Sequence, residues 1–482
     1  MRFSFSAPVV ALPVLLFHLA LSLPRQWRIE TTGFDLGIFE EAVRGYAGGG
    51  PPVVVLKGAG FDLLGDHFSP ALVVLAPFYR LWPAAETLLV AQSVLFALSA
   101  LPVAALAGRR FGRVGGVAAG WAYGLSWGLW RASQFDVHEV ALGVPLAAAA
   151  TVALAERRWR AAVCWALPLL LVKEDQGLLL AGVGGYVLLA GRRRALGAAT
   201  VAAAVLGTAL AVLVLVPAAN PTGGYAYGSW VGPDGGNPLA RLLFPAEKWG
   251  TVGALLAPTL LLALRSPLAL LAVLPLAARF WSPVEAYWGT GFHYNAVLMP
   301  VLFVAGLDGL WRLTGRRGGQ VPVRVLPPAV DREPRRAPVP AVPVPAVFAL
   351  AGMVLLALLA VPRPDLSGPG AEALTVRRVL SAVPDGARVA AANRLAPQLT
   401  SRCAVSLFPY LSYPDGGSTG LSSDGRDPRS RPVAEWAATL DAPEDFPVPR
   451  ARELDVQRGL PAAGYRPVAR GGGVTVWHWQ RG

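Results

Sequence analysis

Carboxylate and imidazole side chains occur in short polar segments of an otherwise apolar sequence. Carboxylates accept protons and bind hard divalent cations, and imidazoles change charge near neutral pH, so these groups suit acid–base or metal-assisted chemistry. Asp35, Asp66 and Glu174 stand beside or among apolar residues, where an ionised carboxylate is costly unless it is used or paired. For each of the other residues, a polar and solvated loop is the favoured explanation. The segments concerned are Asp35, Asp66–His67, Asp136–Glu139, Lys173–Asp175 and His293.

One of the few lysines of the chain stands among these carboxylates. The chain has only three lysines, Lys57, Lys173 and Lys248. Lys173 precedes two acidic residues in a very short turn between apolar runs, so a structural ion pair and a contact with a bound phosphate are both open. The histidines outside the polar segments, His18 and His478, are expected to be structural.

The composition of the chain indicates what positions these residues. Of 482 residues, 54% are hydrophobic and 15% are charged, and the mean hydropathy is +0.47. This is too apolar for a soluble enzyme and predicts a multipass membrane protein. The net charge of +13 comes from basic clusters between apolar runs, which is typical of orientation signals and argues against nucleic acid as a partner. Cys164 lies in an apolar run and Cys403 in the polar C-terminal part, so no disulfide between them is expected.

Apolar runs of spanning length predict about eleven transmembrane helices. Arginine clusters at Arg109–Arg113, Arg157–Arg160 and Arg192–Arg194 fall in alternate loops. The positive-inside rule then places the N-terminus in the cytoplasm, and the first loop (25–85) and the C-terminus outside the plasma membrane. The connections near Lys173–Asp175 and near Arg265 are so short that the two apolar runs beside each could form one broken helix. The number of spans could therefore differ by two. The predicted spans are Ala7–Leu23, Glu86–Ala107, Val114–Trp130, Val140–Ala155, Ala161–Val172, Gly177–Ala190, Ala195–Pro217, Thr251–Leu264, Pro267–Trp281, Ala296–Trp311 and Val342–Val361.

The remaining sequence predicts the parts outside the spans. The stretch Pro70–Trp82 is apolar but short and contains Pro77, so a re-entrant or interfacial piece is expected there. Beyond Pro362, mixed polar residues and short strand-like runs predict a small extracytoplasmic α/β domain over 363–482. The fold class is an all-α polytopic membrane protein, with a transmembrane core over 1–362 and this C-terminal domain. Further predicted features are the strand-like runs Arg388–Ala391 and Val474–Trp479, a proline-rich linker (Val321–Pro345) and a polar loop (Ser412–Pro432).

Four motifs in the sequence resemble a known family. They are Phe34-Asp35-Leu36-Gly37-Ile38-Phe39, Gly65-Asp66-His67-Phe68-Ser69-Pro70, Gln134-Phe135-Asp136-Val137-His138-Glu139 and Lys173-Glu174-Asp175. On these motifs the chain over Ala7–Val361, and more loosely its C-terminal part, resembles the bacterial and archaeal membrane family called domain of unknown function 2079. That family resembles the glycosyltransferase-C superfamily, whose members carry an acidic residue in the first outer loop and use polyprenyl-phosphate sugars as donors.

The resemblance implies a membrane glycosyltransferase that moves a hexosyl or pentosyl group from a polyprenyl-phosphate donor to an acceptor at the outer face of the plasma membrane. Asp35 would take the proton of the acceptor hydroxyl, and Asp66 is the second candidate catalytic residue. Basic groups or a divalent metal ion would hold the departing phosphate, and imidazole with carboxylate favours zinc or manganese. Candidate substrate-binding residues are Lys57, Arg131, Asp136, Lys173, Glu174 and Asp175, and candidate metal ligands are His67, His138, Glu139 and His293.

Two other classes of function stay open from the sequence. One is a transporter or lipid flippase, and the other is a non-catalytic envelope assembly protein that displays its C-terminal domain. A transporter is expected to bury charges at mid-membrane and to contain pseudo-symmetric broken helices. The acidic residues of this chain are predicted to gather at one face, which favours an enzyme. Protein mannosyltransferases of the glycosyltransferase-C superfamily carry an adjacent pair of acidic residues at this position, and Asp35 has no acidic neighbour. The resemblance therefore leaves the class of acceptor molecule open.

Overall fold

The computed structural model describes residues 7–227, 238–314, 343–411 and 434–480, and it is built mostly of α-helices. Long apolar segments form helices because a helix satisfies its own backbone hydrogen bonds where water is absent. The helices are α1 (Ala7–Trp27), α2 (Ile38–Ala47), α3 (Ala76–Leu81), α4 (Ala85–Gly124), α5 (Trp127–Gln134), α6 (Val140–Ala155), α7 (Trp159–Ala166), α8 (Gly177–Leu189), α9 (Arg194–Leu210), α10 (Val216–Ala219), α11 (Pro238–Leu243), α12 (Glu247–Leu256), α13 (Val273–Trp281), α14 (Glu285–Trp288), α15 (Leu298–Leu313), α16 (Val344–Ala360), α17 (Ala371–Leu380) and α18 (Arg450–Gly459).

Some of these helices are long enough to cross a membrane. Within the described residues there are three by length and composition, namely α1, α4 and the continuous helix Arg194–Ala219. A fourth is added if the bent pair Glu285–Asn295 and Leu298–Leu313 forms one span. Shorter apolar helices of 10–17 residues cover several other predicted spans, among them Val140–Ala155 and Val344–Ala360. The chain is thus mostly helical with several apolar helices, and the count of eleven spans stays a prediction.

Breaks in the backbone shorten many of the apolar helices. The chain turns inside α4 at Gly112, whose φ of 78° lies in the left-handed region that glycine adopts at no steric cost. It then folds back, so that a Cβ atom on Gly116 would lie 2.9 Å from the Ala104 carbonyl oxygen. Leu260 and Leu261 adopt left-handed conformations shortly after α12. The turn at Gly112 falls in the loop predicted between the spans Glu86–Ala107 and Val114–Trp130, whereas Leu260 and Leu261 interrupt the predicted span Thr251–Leu264.

The helix α1 packs closely against α4 and α5. Gly124 faces Val14, and a Cβ atom at this glycine would overlap the valine side chain, which is the small-residue packing typical of membrane helices. His18 Nδ1 lies 2.7 Å from Ser133 Oγ, and its Nε2 lies 2.9 Å from the Gly124 carbonyl oxygen. His18 therefore joins three helical segments, which agrees with the structural role predicted for it.

The C-terminal part forms a five-stranded sheet with the strand order β2-β1-β3-β5-β4. The strand β1 is parallel to β2 and β3, whereas β5 is antiparallel to β3 and β4. The predicted runs Arg388–Ala391 and Val474–Trp479 are confirmed as β1 and β5. The predicted linker and polar loop lie outside the described residues, except that α16 begins at Val344. The strands are β1 (Arg388–Ala391), β2 (Ala404–Leu407), β3 (Trp436–Leu440), β4 (Tyr465–Gly471) and β5 (Val474–Trp479).

The first loop and the C-terminal unit, meaning the described residues from 363 to 480, share one hydrophobic core. Leu36 of the loop and Val405 of β2 both belong to it. Arg44 Nη1 donates to the carbonyl oxygen of Cys403 at 2.6 Å, next to β2. Both cysteines are free thiols, and Cys403 is buried whereas Cys164 is exposed. The loop and the C-terminal unit are thus packed as one layer.

Two glutamates of α2 are buried in this layer. Glu40 accepts a hydrogen bond from Tyr79 Oη at 2.9 Å and another from the Thr400 hydroxyl. Glu41 accepts from one backbone amide of the loop at 3.0 Å and from the Val405 amide at 3.3 Å. Burial raises the pKa of Glu40 to about 7 and that of Glu41 to about 8, although these hydrogen bonds limit the rise. The two carboxyls therefore connect the loop to the C-terminal unit.

Candidate functional site

The backbone that carries Asp35 is held by the C-terminal unit. A single π-helical turn presents Asp35 just before α2. The Gly33 amide donates to the Asn393 carbonyl oxygen at 2.7 Å, and the Phe34 amide donates to Asn393 Oδ1 at 2.9 Å. A Cβ atom on Gly33 would lie 2.8 Å from Ala396 Cβ, so glycine permits this close approach. The position of Asp35 thus depends on residues more than 350 positions later in the chain.

His138 is a polar partner of Asp35. The Nε2 atom of His138 lies 3.2 Å from Asp35 Oδ2, and 28% of the Asp35 side chain is exposed. The His138 ring stacks on His293 with 3.4 Å between the ring centroids, and His293 in turn lies 4.1 Å from the Tyr294 ring. Both ring nitrogens of His293 are buried and have no hydrogen-bond partner among the described residues. A partly exposed carboxylate oriented by an imidazole is able to accept a proton from a ligand.

Asp136 is buried and supports the segment before Asp35. Its Oδ2 accepts from the amide and the hydroxyl of Thr32, each at 2.8 Å. Arg25 Nη2 lies 3.6 Å from its Oδ1. Burial raises the pKa of Asp136 to about 6, and the charge of Arg25 and the bonds from Thr32 limit the rise. Asp136 therefore affects the site indirectly, because it holds Thr32, which precedes Asp35 by three residues.

The second candidate catalytic residue, Asp66, is paired with a lysine. Lys57 Nζ lies 2.5 Å from Asp66 Oδ2, and Tyr227 Oη donates to Asp66 Oδ1 at 2.9 Å. Burial opposes ionisation of Asp66, but the charges of His67 and Lys57 outweigh it and lower the pKa to about 2. Asp66 is thus a weaker proton acceptor than an ordinary aspartate, and Lys57 neutralises it.

His67 and Glu174 form a second buried pair. His67 Nδ1 lies 2.8 Å from Glu174 Oε1, and the His67 ring stacks on Tyr227 with 4.6 Å between the centroids. Tyr225 Oη donates to the same oxygen of Glu174 at 3.1 Å. Burial opposes ionisation of Glu174, but the charge of His67 and its hydrogen bond lower the pKa to about 2. Burial and the repulsion of Lys173 lower the pKa of His67, but the charges of Glu174 and Asp66 and the hydrogen bond with Glu174 together outweigh them and raise it.

Lys173 forms an ion pair with Glu139. Its Nζ lies 2.7 Å from Glu139 Oε1, and both side chains are almost fully buried. Burial opposes protonation of Lys173, but the charges of Glu139, Asp175 and Glu174 raise its pKa well above the ordinary value. Asp175 accepts a hydrogen bond from Gln176 Nε2 at 2.9 Å. The structural ion pair predicted as one role of Lys173 is thus present, and the same side chain also lines a pocket.

This pocket has a volume of about 190 Å³. Arg279 is buried in its wall, with Nε donating to the Tyr287 carbonyl oxygen at 2.6 Å and Nη2 donating to Asn295 Oδ1 at 3.0 Å. Aromatic walls with a few converging polar groups are typical of small-molecule sites. Sequence reasoning missed Arg279 and the aromatic wall, for which the only signal was the aromatic-rich segment 280–294. The aromatic and charged lining residues are His67, Lys173, Glu174, Asp175, Tyr225, Tyr227, Arg279, Trp281, Tyr287 and Tyr294.

The four predicted metal ligands do not form one centre. His67 and Glu139 are each engaged by a side chain of opposite charge. The rings of His138 and His293 are nearly parallel, 21° apart, so their in-plane lone pairs run side by side and do not converge on one ion. Within the described residues, no group of three or more His, Cys, Asp or Glu side chains is arranged to hold a metal ion. A divalent cofactor stays a prediction from the sequence.

Arg131 lies apart from the other predicted site residues. Its side chain is exposed, and the guanidinium lies 4.6 Å from the centroid of the Trp130 ring. It does not line the pocket. The remaining predicted residues form two neighbouring groups, with Asp35, Asp136, His138 and His293 in one, and Lys57, Asp66, His67, Glu139, Lys173, Glu174 and Asp175 in or beside the pocket.

A family model of predicted membrane proteins, DUF2079, matches residues 25–414. The match covers most of the chain and includes all four sequence motifs together with the residues around the pocket. The chain belongs to the DUF2079 family. A comparison with curated proteins found no match.

DUF2079 membership and the apolar helices together make the chain a membrane protein. The matched region starts before the loop that carries Asp35 and extends past β2. It therefore includes Asn393, which holds the backbone next to Asp35. The DUF2079 description names a membrane protein and no activity, so the function rests on the chemistry of the site.

Proposed function

We propose that this DUF2079 protein is a membrane glycosyltransferase of the glycosyltransferase-C type, which transfers a sugar from a polyprenyl-phosphate donor to an acceptor. The observation that carries the proposal is the environment of Asp35. This carboxylate is partly exposed, has an imidazole 3.2 Å away, and lies near a pocket with aromatic walls and two buried cationic side chains. Such a transfer needs a proton acceptor, a pocket that holds the sugar ring, and positive charge near the departing phosphate.

The pocket supplies features that suit the donor. Aromatic side chains such as Tyr287 and Trp281 offer flat faces against which a sugar ring packs. Lys173 and Arg279 bring positive charge to the same space, and a phosphate would bind them through charge-assisted hydrogen bonds. Apolar residues of the wall, including Leu179 and Val297, continue towards the membrane helices and suit the isoprenoid chain.

In the proposed reaction, Asp35 accepts the proton of the acceptor hydroxyl while the hydroxyl oxygen attacks the anomeric carbon. The bond between that carbon and the phosphate oxygen breaks, and the lipid phosphate leaves as an anion. Lys173 and Arg279 stabilise this anion as it forms. His138 orients the Asp35 carboxylate and stabilises its charge before the proton arrives.

The proposal includes the topology predicted from the sequence. About eleven spans would place the N-terminus in the cytoplasm, and the first loop and the C-terminal unit on the outer face of the plasma membrane, where cell-envelope acceptors occur. The arginine clusters in alternate loops support this orientation. Impermeant thiol labelling of intact cells would test it with Leu366→Cys and Arg193→Cys in a cysteine-free chain, since both positions are exposed and lie outside the predicted spans. Labelling is expected at 366 and not at 193, and the reverse pattern would exclude the proposal.

The activity itself is tested with purified protein in lipid nanodiscs. A photoreactive polyprenyl-phosphate analogue is expected to cross-link to the pocket wall, at segments containing Tyr287 or Tyr294, and excess unlabelled polyprenyl phosphate should suppress the cross-link. Sugar release from a panel of hexosyl and pentosyl donors would then be measured with and without a chelator, which tests the predicted divalent ion. Donor binding without sugar release, but with movement of the lipid between leaflets, would instead establish a flippase.

A further inference from the structure

The segment Pro70–Trp82 has one apolar face turned away from the rest of the protein. It consists of a 3₁₀-helical stretch, Pro70–Leu75, that continues into α3. One side of this segment is buried in the core that the first loop shares with the C-terminal unit, through Leu72, Leu75 and Tyr79. The opposite side exposes Val73, Val74, Phe78, Leu81 and Trp82, with exposed fractions from 48% to 86%. Five neighbouring exposed apolar side chains mark an interaction surface.

The buried side holds the segment rigidly. Tyr79 Oη donates to Glu40, which also binds the Thr400 hydroxyl of the C-terminal unit. Arg80 Nε donates to the Ala47 carbonyl oxygen at 2.5 Å, at the end of α2. The apolar face is therefore presented by a fixed element and is not the surface of a loose loop.

The position of α4 indicates what this face meets. The first half of α4 extends from Ala85 to the turn at Gly112, and Arg109 lies near its end. A hydrocarbon core of about 30 Å corresponds to about 20 helical residues. Counting back from Arg109 puts the other edge of the hydrocarbon near Leu89. Trp82, separated from α4 by two residues, is thus close to that edge, where lipid headgroups form a layer of about 5 to 8 Å on each side of the hydrocarbon.

Two other half-exposed tryptophans stand at the first-loop ends of membrane helices, whereas Trp165, which is 47% exposed, lies within α7. Trp27 ends α1 just before the first loop, and Trp249 stands in the first turn of α12. Their exposed fractions are 40% and 53%, close to the 49% of Trp82. Tryptophan is enriched at the interface between lipid and water because its ring is apolar and its N–H is polar. The three residues are consistent with one aromatic belt that includes the end of Pro70–Trp82.

We propose that Pro70–Trp82 lies flat on the bilayer on the side of the first loop, with Phe78 and Leu81 inserted among the acyl chains. The partner is a phospholipid surface, because the face is apolar, lies at headgroup depth and is continuous with a membrane-spanning helix. Tyr79, Glu40 and Thr400 connect this segment to the C-terminal unit. Contact of the segment with the bilayer therefore also sets the distance between the C-terminal unit and the membrane. The assignment does not depend on which reaction the site performs.

Spin-label depth measurements test the assignment with the full-length protein in phospholipid nanodiscs. Phe78→Cys and Leu81→Cys are labelled one at a time in a chain that also carries Cys164→Ala and Cys403→Ala. Leu213→Cys, exposed in the second half of the long apolar helix Arg194–Ala219, is the lipid reference. Val468→Cys, exposed on β4, is the water reference.

The accessibility of each label to oxygen, which concentrates in lipid, is compared with its accessibility to a water-soluble nickel chelate. The ratio at 78 and 81 is expected to be several-fold higher than at 468 and to approach the ratio at 213. A ratio at 78 and 81 equal to that at 468 would overturn the proposal. Spectral broadening that disappears on dilution with unlabelled protein would also overturn it, because a second copy of the chain would then cover this face.

Discussion

His138 Nε2 lies 3.2 Å from Asp35 Oδ2, at the point where the first loop meets the membrane helices. The two residues come from different polar segments, and the fold brings them together although 103 positions separate them in the sequence. The imidazole leaves one side of the carboxylate open, since more than a quarter of the Asp35 side chain is exposed. Asp35 is therefore the better placed of the two candidate acids for contact with an acceptor.

Replacing Asp35 with asparagine removes the proton acceptor and retains the size of the side chain. We expect Asp35→Asn to lower the rate of sugar transfer by roughly 10² to 10⁴, with donor binding unchanged because the donor contacts lie in the pocket. Steady-state transfer rates and cross-linking of the donor analogue would be measured side by side. Asp385→Asn, at a carboxylate exposed on the C-terminal unit, is the control, and an active Asp35→Asn protein would show that Asp35 only shapes the loop.

Asn393 is expected to act as a positioning residue for Asp35. Asn393→Ala removes the oxygen that accepts from the Phe34 amide, so the turn that carries Asp35 loosens, and we expect a loss of roughly 10- to 100-fold in transfer rate. Asn393→Asp keeps an acceptor oxygen at this position and should restore most of the rate. Donor affinity should stay constant in both variants. Equal losses in the two variants, or a loss confined to donor affinity, would contradict a positioning role.

The ion pair between Lys173 and Glu139 gives a third prediction. Lys173→Met leaves Glu139 buried without its partner, which typically costs 3–5 kcal/mol, and should therefore lower the melting temperature clearly. The double variant Lys173→Met/Glu139→Gln removes both charges and should recover most of the stability. Donor binding to the double variant then separates the two roles of Lys173. Binding as tight as in the wild-type protein would show that the ion pair is its whole role and that the phosphate is held elsewhere.

Glu40 gives a prediction about pH. Its pKa of about 7 in the folded protein lies above the ordinary 4.5 because it is buried, so between these values the folded chain binds more protons than the unfolded chain. Stability should therefore fall as pH rises from about 4.5 through about 7. Glu40→Gln keeps both hydroxyl partners and cannot ionise, so its melting temperature should exceed that of the wild-type protein at pH 8 and match it near pH 4.5.

The control for this measurement is Glu372→Gln, because Glu372 is exposed at the start of α17. Its melting temperature should follow the wild-type protein at every pH. If Glu40→Gln and the wild-type protein lose stability in parallel up to pH 8, then Glu40 is not the group that titrates between the first loop and the C-terminal unit. Glu41, with a pKa of about 8, would be the next residue to replace.

Local sequence determined part of the fold. Long apolar runs predicted helices, and the runs Arg388–Ala391 and Val474–Trp479 were predicted as strands with the bounds that β1 and β5 have. The turn at Gly112 falls in the arginine cluster where a loop between two spans was predicted. The left-handed residues Leu260 and Leu261 were harder to predict, because they interrupt the apolar run of the predicted span Thr251–Leu264 and depend on backbone angles that hydropathy does not report.

The site could be predicted where its residues carry charge in an apolar context. The motifs around Asp35 and His138 pointed to residues that do lie together. No sequence pattern indicated that Lys57 and Asp66 neutralise each other, because their pairing depends on the path of the loop. Arg279 and Asn393 were missed for another reason, since one lies at the end of an apolar segment and the other in the C-terminal unit, far from every motif.

The core shared by the first loop and the C-terminal unit has a consequence for the synthesis of the protein. Glu41 and its partner Val405 are 364 residues apart, so at 5–20 residues per second the loop emerges roughly 20 to 70 s before the strand that covers it. During that time the side of α2 that packs against the C-terminal unit has no partner from its own chain. Ribosome stalling before β2 should therefore leave the loop sensitive to protease, and a chaperone or insertase that shields this side would have its binding period set by the rate of translation.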